Sequence, residues 1–129
     1  MIKETITYTD YNGNERTMDA YFNLNKAEIM RMEMSTKGGL AERIKRIVDA
    51  QDAPAIIEIF EDLIQRSYGM KTADGGFVKR KEDLEAFMAT DAYSELFMKL
   101  ATDADAAAKF VNGVVPADVS KKAALAAGN

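Results

Sequence analysis

The stretch from Asp91 to Pro116, DAYSELFMKLATDADAAAKFVNGVVP, restricts the fold more than any other, because its apolar residues recur at helical spacing. Tyr93, Leu96, Phe97 and Leu100 fall at i, i+3, i+4 and i+7, and Ala104, Ala107, Ala108 and Val111 repeat the spacing one segment later. Two helices in tandem, each with one apolar face, are therefore expected. Thr90 and Thr102 are placed to accept hydrogen bonds from first-turn amides, while Asp91, Asp103 and Asp105 set negative charge at the positive helix ends. Gly113 is expected in a left-handed closing position, and Pro116 prevents continuation.

Upstream of this pair the periodicity changes from two to helical. Ile2, Ile6 and Tyr8 share one face of a first strand, and Met18, Ala20, Phe22 and Leu24 share one face of a second. Asn12-Gly13-Asn14 lies between them. A three-residue loop there sets residue i opposite 26−i, so that Tyr8 meets Met18, Ile6 meets Ala20 and Ile2 meets Leu24; a two-residue turn would mix apolar with polar faces. A lone hairpin is marginal in water, so its apolar face has to rest on the helices or join a neighbour's sheet.

Asn25 with Glu28 reads as a capping box opening a helix from Lys26 to Met34, with Ile29, Met30 and Met34 facing inward and Met32 elsewhere. After a turn over Ser35 to Gly39 comes an amphipathic helix, Leu40 to Ala50, with Ile44, Ile47 and Val48 on its apolar side. Asp52 caps the next helix, in which Pro54 occupies the tolerant first turn and Ile56, Ile57, Ile59, Phe60, Leu63, Ile64 and Tyr68 make a stripe wide enough for central burial. Gly69 ends it, and Asp74-Gly75-Gly76 marks a turn inside a small hairpin or pinned loop. Lys81 to Met88 completes the set as a short helix. The expectation is a mainly α fold: one domain over residues 1–116, made of a hairpin (2–24) and about six helices (25–116), followed by a flexible tail, 117–129.

At 129 residues the chain has the size of one domain, and its charge of −4 disfavours nucleic acid, because no excess of Lys and Arg is available to displace counterions. It contains neither cysteine nor histidine, which removes thiolate nucleophiles, disulfides, finger-type zinc sites and the commonest acid-base group near neutrality. Neither a metal nor another cofactor is expected. The N-terminus has no signal-peptide layout and no apolar run approaches the roughly 18 to 20 residues that span a bilayer, so no membrane contact and a cytoplasmic location are expected.

The local motifs point to structure rather than chemistry. Asp103-Ala-Asp105 begins like a calcium loop, but Ala107 stands where the third oxygen ligand belongs. Asp74-Gly75-Gly76 lacks the Lys-Ser/Thr of a phosphate loop. Glu58, Glu61, Asp62, Glu82, Asp83 and Glu85 all fall on polar helix faces, where solvation explains them without catalysis. Lys79, Arg80 and Lys81 form a short basic cluster without interleaved aromatics, in keeping with a helix flank. The methionines Met30, Met32, Met34, Met88 and Met98 are the informative group: they fill irregular cores, which is the simpler reading, or form an adaptable surface for helical partners.

The run from Thr90 to Pro116, with RSYGMKTADGGFVKR from Arg66 to Arg80, resembles the small tail assembly chaperones of bacteriophages with long flexible tails. That resemblance implies a non-enzymatic protein that coats the helical tape-measure protein, keeps it soluble and is absent from the finished virion. It also implies a longer form, made by ribosomal frameshifting, that brings in tail-tube subunits. Lys121-Lys122 and Gly128-Asn129 are compatible with slippery codons. Partner contacts would fall on Met30, Met34, Tyr93, Leu96, Phe97, Leu100 and Phe110, with self-association into oligomers a further expectation. The competing readings are a structural tail or connector component of the virion and a small carboxylate-and-magnesium enzyme.

Overall fold

The computed structural model describes residues 1–114, apart from the side chains of Ala41 and Val48; the tail 117–129, Pro116 and the candidate frameshift codons lie outside the described residues. Two long strands, β1 (Ile2–Thr9) and β2 (Glu15–Phe22), precede three helices, α1 (Lys26–Ser35), α2 (Leu40–Asp49) and α3 (Ala53–Ser67). A second, short hairpin follows, β3 (Tyr68–Lys71) and β4 (Phe77–Val78), and then α4 (Lys81–Met88), α5 (Asp91–Thr102) and α6 (Ala104–Val114). The six helices match expectation, but the β part is larger than one hairpin. The second hairpin pairs with the first through Tyr21 opposite Gly69 and Phe22 opposite Tyr68, giving one antiparallel sheet in the order β1-β2-β3-β4. The fold is thus mixed: six helices and a four-stranded sheet.

The hairpin register is 24−i, not 26−i: Ile2 stands opposite Phe22, Ile6 opposite Met18 and Tyr8 opposite Arg16. The difference of two keeps the faces matched, so the parity argument survives while the loop lengthens. Asp10 is the cause. Its Oδ1 accepts the amides of Asn12 and Asn14 at 2.9 Å each, its own amide donates to Asn14 O at 2.8 Å, and its Oδ2 takes the Arg16 guanidinium at 2.5 Å. This Asx-type loop, with Gly13 at φ +82, outweighs the shorter turn.

Arg16, foremost, and the loop amides hold the Asp10 carboxyl below its ordinary value of 3.8. A carboxyl lowered on folding contributes stability that is complete above the unfolded pKa and is lost as pH falls through the folded one. The urea-midpoint gap between wild type and Asp10→Asn is therefore expected to close as pH drops from neutrality to below 3.8, and a pH-independent gap would contradict this account.

Both expected caps form. Asn25 Oδ1 accepts from Glu28 N at 2.8 Å while Glu28 Oε1 accepts from Asn25 N at 3.0 Å, and Asp52 Oδ1 accepts from Ala55 N at 3.2 Å. The threonines behave otherwise. Thr90 and Thr102 donate backward, to Phe87 O and Met98 O at 2.6 Å each, satisfying carbonyls of the preceding turn. Asp103 is the acceptor that opens α6, through Asp105 N at 3.0 Å and Ala106 N at 3.1 Å, which explains the Asp-Ala-Asp sequence.

Gly113 is not a left-handed terminator but a residue inside α6. A Cβ placed there would stand 2.8 Å from Cβ and Cδ1 of Ile2, so glycine lets the end of α6 lie against β1. The contact is reinforced by Leu24 N donating to Val114 O at 3.0 Å. The core gathers on Phe22, whose ring lies 5.7 Å from Tyr68, 6.1 Å from Phe87 and 5.3 Å from Phe110. Tyr68 and Phe87 stack at 4.4 Å, and Tyr93 meets Phe87 edge-on at 5.8 Å. One aromatic cluster therefore ties β2, β3, α4, α5 and α6 together.

Candidate functional site

The Asn25–Glu28 capping box fixes where α1 starts, and Lys79 then fixes how it is rotated. Lys79 Nζ reaches both oxygens of Glu28, at 2.8 and 2.7 Å, tying the first turn of α1 to the end of β4. Leu24, just before the cap, and Ile29, at the fourth helical position, are both buried in the same core, the arrangement of a hydrophobic staple. With Ile29 turned inward, Met32 three residues on follows it.

Met30 and Met34, four residues apart, share the opposite side and face solvent, 54% and 83% exposed. This reverses the expected facing of all three methionines of α1. The staple was the available signal: Leu24 before the cap selects Ile29, and Ile29 selects Met32 over Met30.

The same division runs through the chain. Met1, Met30, Met34, Met70, Met88 and Met98, six of the eight methionines, are exposed, whereas no leucine or phenylalanine among the described residues is. Tyr11 and Ile57 are the other large exposed apolar side chains. The α3 stripe is therefore narrower than expected, burying Ile59, Phe60, Leu63 and Ile64 but leaving Ile57 in solvent. Core filling, the simpler reading of the methionines, describes only Met32, which is buried, and Met18, which packs against the core.

The aromatic-aliphatic face of α5 divides differently. Leu96 and Leu100 are buried, as is Phe110 of α6, so these three belong to the domain core. Tyr93 and Phe97 are half-buried; the Tyr93 hydroxyl accepts from Gln65 Nε2 at 3.3 Å, which holds α5 to α3. Of the seven residues expected at a partner surface, Met30 and Met34 are fully available, Tyr93 and Phe97 partly, and the rest are covered by the chain itself.

Beside α1 lies an open groove whose floor includes Leu24 and Met32 and whose rim carries Arg31, Arg66 and Lys79. The basic cluster of the sequence is matched by acids: Lys79 binds Glu28, Arg80 lies 3.9 Å from Asp83 and Lys81 lies 3.9 Å from Glu85. The perturbed acids have structural causes. The Thr72 hydroxyl lowers Asp74 inside the β3–β4 turn, while burial, and then the nearby Asp83 charge, raise Tyr68. No three acidic side chains converge as a metal site would need among the described residues. No helix of the described residues is long and apolar enough to cross a membrane. What the surface offers is soft, unbranched apolar contact.

Over residues 1–128 the chain matches the model of a family described as phage tail assembly chaperone. No curated protein and no solved structure matches it.

Proposed function

Since the chain belongs to the phage tail assembly chaperone family, we propose that it holds the tape-measure protein in solution by seating that protein's helical segments on exposed methionines, Met30 and Met34 foremost. The family's role is assembly, and a binding surface rather than a reaction site is what it requires. The single observation that carries the reading is that the solvent-facing large apolar side chains are mostly methionine. A tape measure presents many different apolar faces in turn, and a thioether on three rotatable bonds adapts to each with little strain, where branched side chains would select one shape.

A longer, frameshifted form would recruit tail-tube subunits to the coated tape measure. The chaperone would act in the host cytoplasm and leave before the virion is complete. Finding an overlapping reading frame behind a slippery heptamer in the gene would support the longer form, and a stoichiometric band in purified virions would favour a structural tail component instead.

Co-expression tests the central claim. Wild type is expected to move the tape-measure protein from the pellet to the soluble fraction, and Met30→Gln with Met34→Gln to undo much of this. Each lost methionine contact is worth about 1.5 kcal/mol, roughly tenfold in affinity. Because both positions are exposed, the double variant keeps its fold, and unchanged solubilisation by it would refute the methionine surface.

A further inference from the structure

We propose that β1 is a self-pairing edge: two copies of this chain join antiparallel along Ile2–Thr9, residue i of one opposite 12−i of the other, into one eight-stranded sheet. The direction of the backbone groups comes from the hairpin itself. Asp10 N donates across the hairpin to Asn14 O, and backbone groups alternate along a strand, so Tyr8, Ile6, Glu4 and Ile2 turn their amides and carbonyls toward β2. Those of Thr9, Thr7, Thr5 and Lys3 point away from the sheet. Outside the ladder these groups have no hydrogen bond among the described residues.

β1 is first in the strand order and carries no proline. The other terminal strand, β4, has two residues, too few to template a partner. A regular eight-residue edge whose outward groups are all unpaired among the described residues is a template for another strand.

The self-pairing register follows from the sequence of the edge. Only 12−i sets all four outward residues against outward residues, Lys3 against Thr9 and Thr5 against Thr7, each pair occurring twice about the axis. Thr5 opposite Thr7 repeats the kind of pair already present within the hairpin, where the Thr7 and Thr17 hydroxyls lie 3.2 Å apart. Ile6 falls opposite its own copy on the covered face, and no like charges meet.

Glu4 points to the covered face, where a bare charge would oppose pairing, but Lys99 of α5 matches it at 3.3 Å. That ion pair marks where α5 crosses β1. In this register Glu4 of the second copy lies opposite Tyr8, four residues or about 14 Å along the strand. Two helices need about 8–10 Å between their axes, so the α5 helices of both copies fit.

The absence of cysteine makes the register testable. Thr5→Cys and Thr7→Cys chains are prepared separately under reduction, and each alone and their mixture are then oxidised mildly in air. Opposed residues stand about 5.5 Å apart between Cα atoms, within disulfide range, whereas like residues lie on the diagonal at about 7–8 Å. Cross-linked dimer is expected in the mixture and not in either variant alone.

In parallel, light scattering on wild type is expected to give a mass near twice 14.2 kDa. The T5K/T7K double variant, which opposes lysines in both pairs, is expected to be monomeric with its melting transition intact. Equal cross-linking of the single variants, a dimeric T5K/T7K, or a wild type monomeric at every concentration overturns the proposal. A monomeric wild type whose T5K/T7K variant loses only tape-measure capture would assign the edge to a foreign strand instead. The mass measurement uses this chain alone, so its failure is distinct from failure of the chaperone reading.

Discussion

Phe22→Ala is expected to remove about 4 kcal/mol of folding stability, the middle of the range for a buried aromatic, and to lower the urea midpoint by about 2 M. Three features set the size. Phe22 is fully buried, its ring meets Tyr68, Phe87 and Phe110, and those partners come from β3, α4 and α6. Truncation thus leaves a cavity bounded by three elements that are themselves anchored elsewhere: Tyr68 by its stack on Phe87 and its place opposite Phe22 in the sheet, Phe110 by a helix pinned at Val114. Such walls cannot collapse into the space, and the cost of a cavity rises with the volume that stays empty. A loss below about 2 kcal/mol would mean that the cluster repacks and is not the organising contact of the domain. Since a domain of this kind has roughly 5–15 kcal/mol in total, the variant is also expected to fall in soluble yield.

Gly113→Val is expected to cost about 3 kcal/mol, by overpacking instead of by a void. An added Cβ would lie 2.8 Å from the Ile2 Cβ, an atom fixed by the strand and unable to swing aside. In an ordinary helix interior, replacing glycine by valine relieves a propensity penalty of about 0.4 kcal/mol, so the sign of the change distinguishes the two accounts. A stabilised variant would show that α6 can withdraw from β1 without loss. The double variant Gly113→Val with Ile2→Ala supplies the second arm, because it removes the Ile2 atoms beyond Cβ that meet the new side chain. Its stability is expected to exceed the sum of the single effects by about 1 kcal/mol, the coupling typical of residues in contact.

Both substitutions also bear on the residues expected at a partner surface. Phe110 shares the Phe22 cluster, and Leu96 and Leu100 are buried in the same core, so truncating any of them destabilises the domain and confounds a readout of binding. Met30 and Met34 are exposed, so a change of side chain there leaves the core untouched.

What the sequence determined by itself is what neighbours in the chain settle among themselves. The Asn25–Glu28 box and the Asp52 cap depend on groups three residues apart, and helical periodicity is a property of one segment, so the six helices were legible. So was the parity of the hairpin, since a slip of one residue would have turned its apolar face to water. The tertiary structure decided what depends on a partner far along the chain. Lys79 ties the first turn of α1 to the end of β4 from 51 positions away, Ile2 gives Gly113 its purpose, and Tyr21 and Phe22 draw Tyr68 and Gly69 into a four-stranded sheet. A methionine suits a core and a surface equally well by its own chemistry, so only the groups packed around it choose between them.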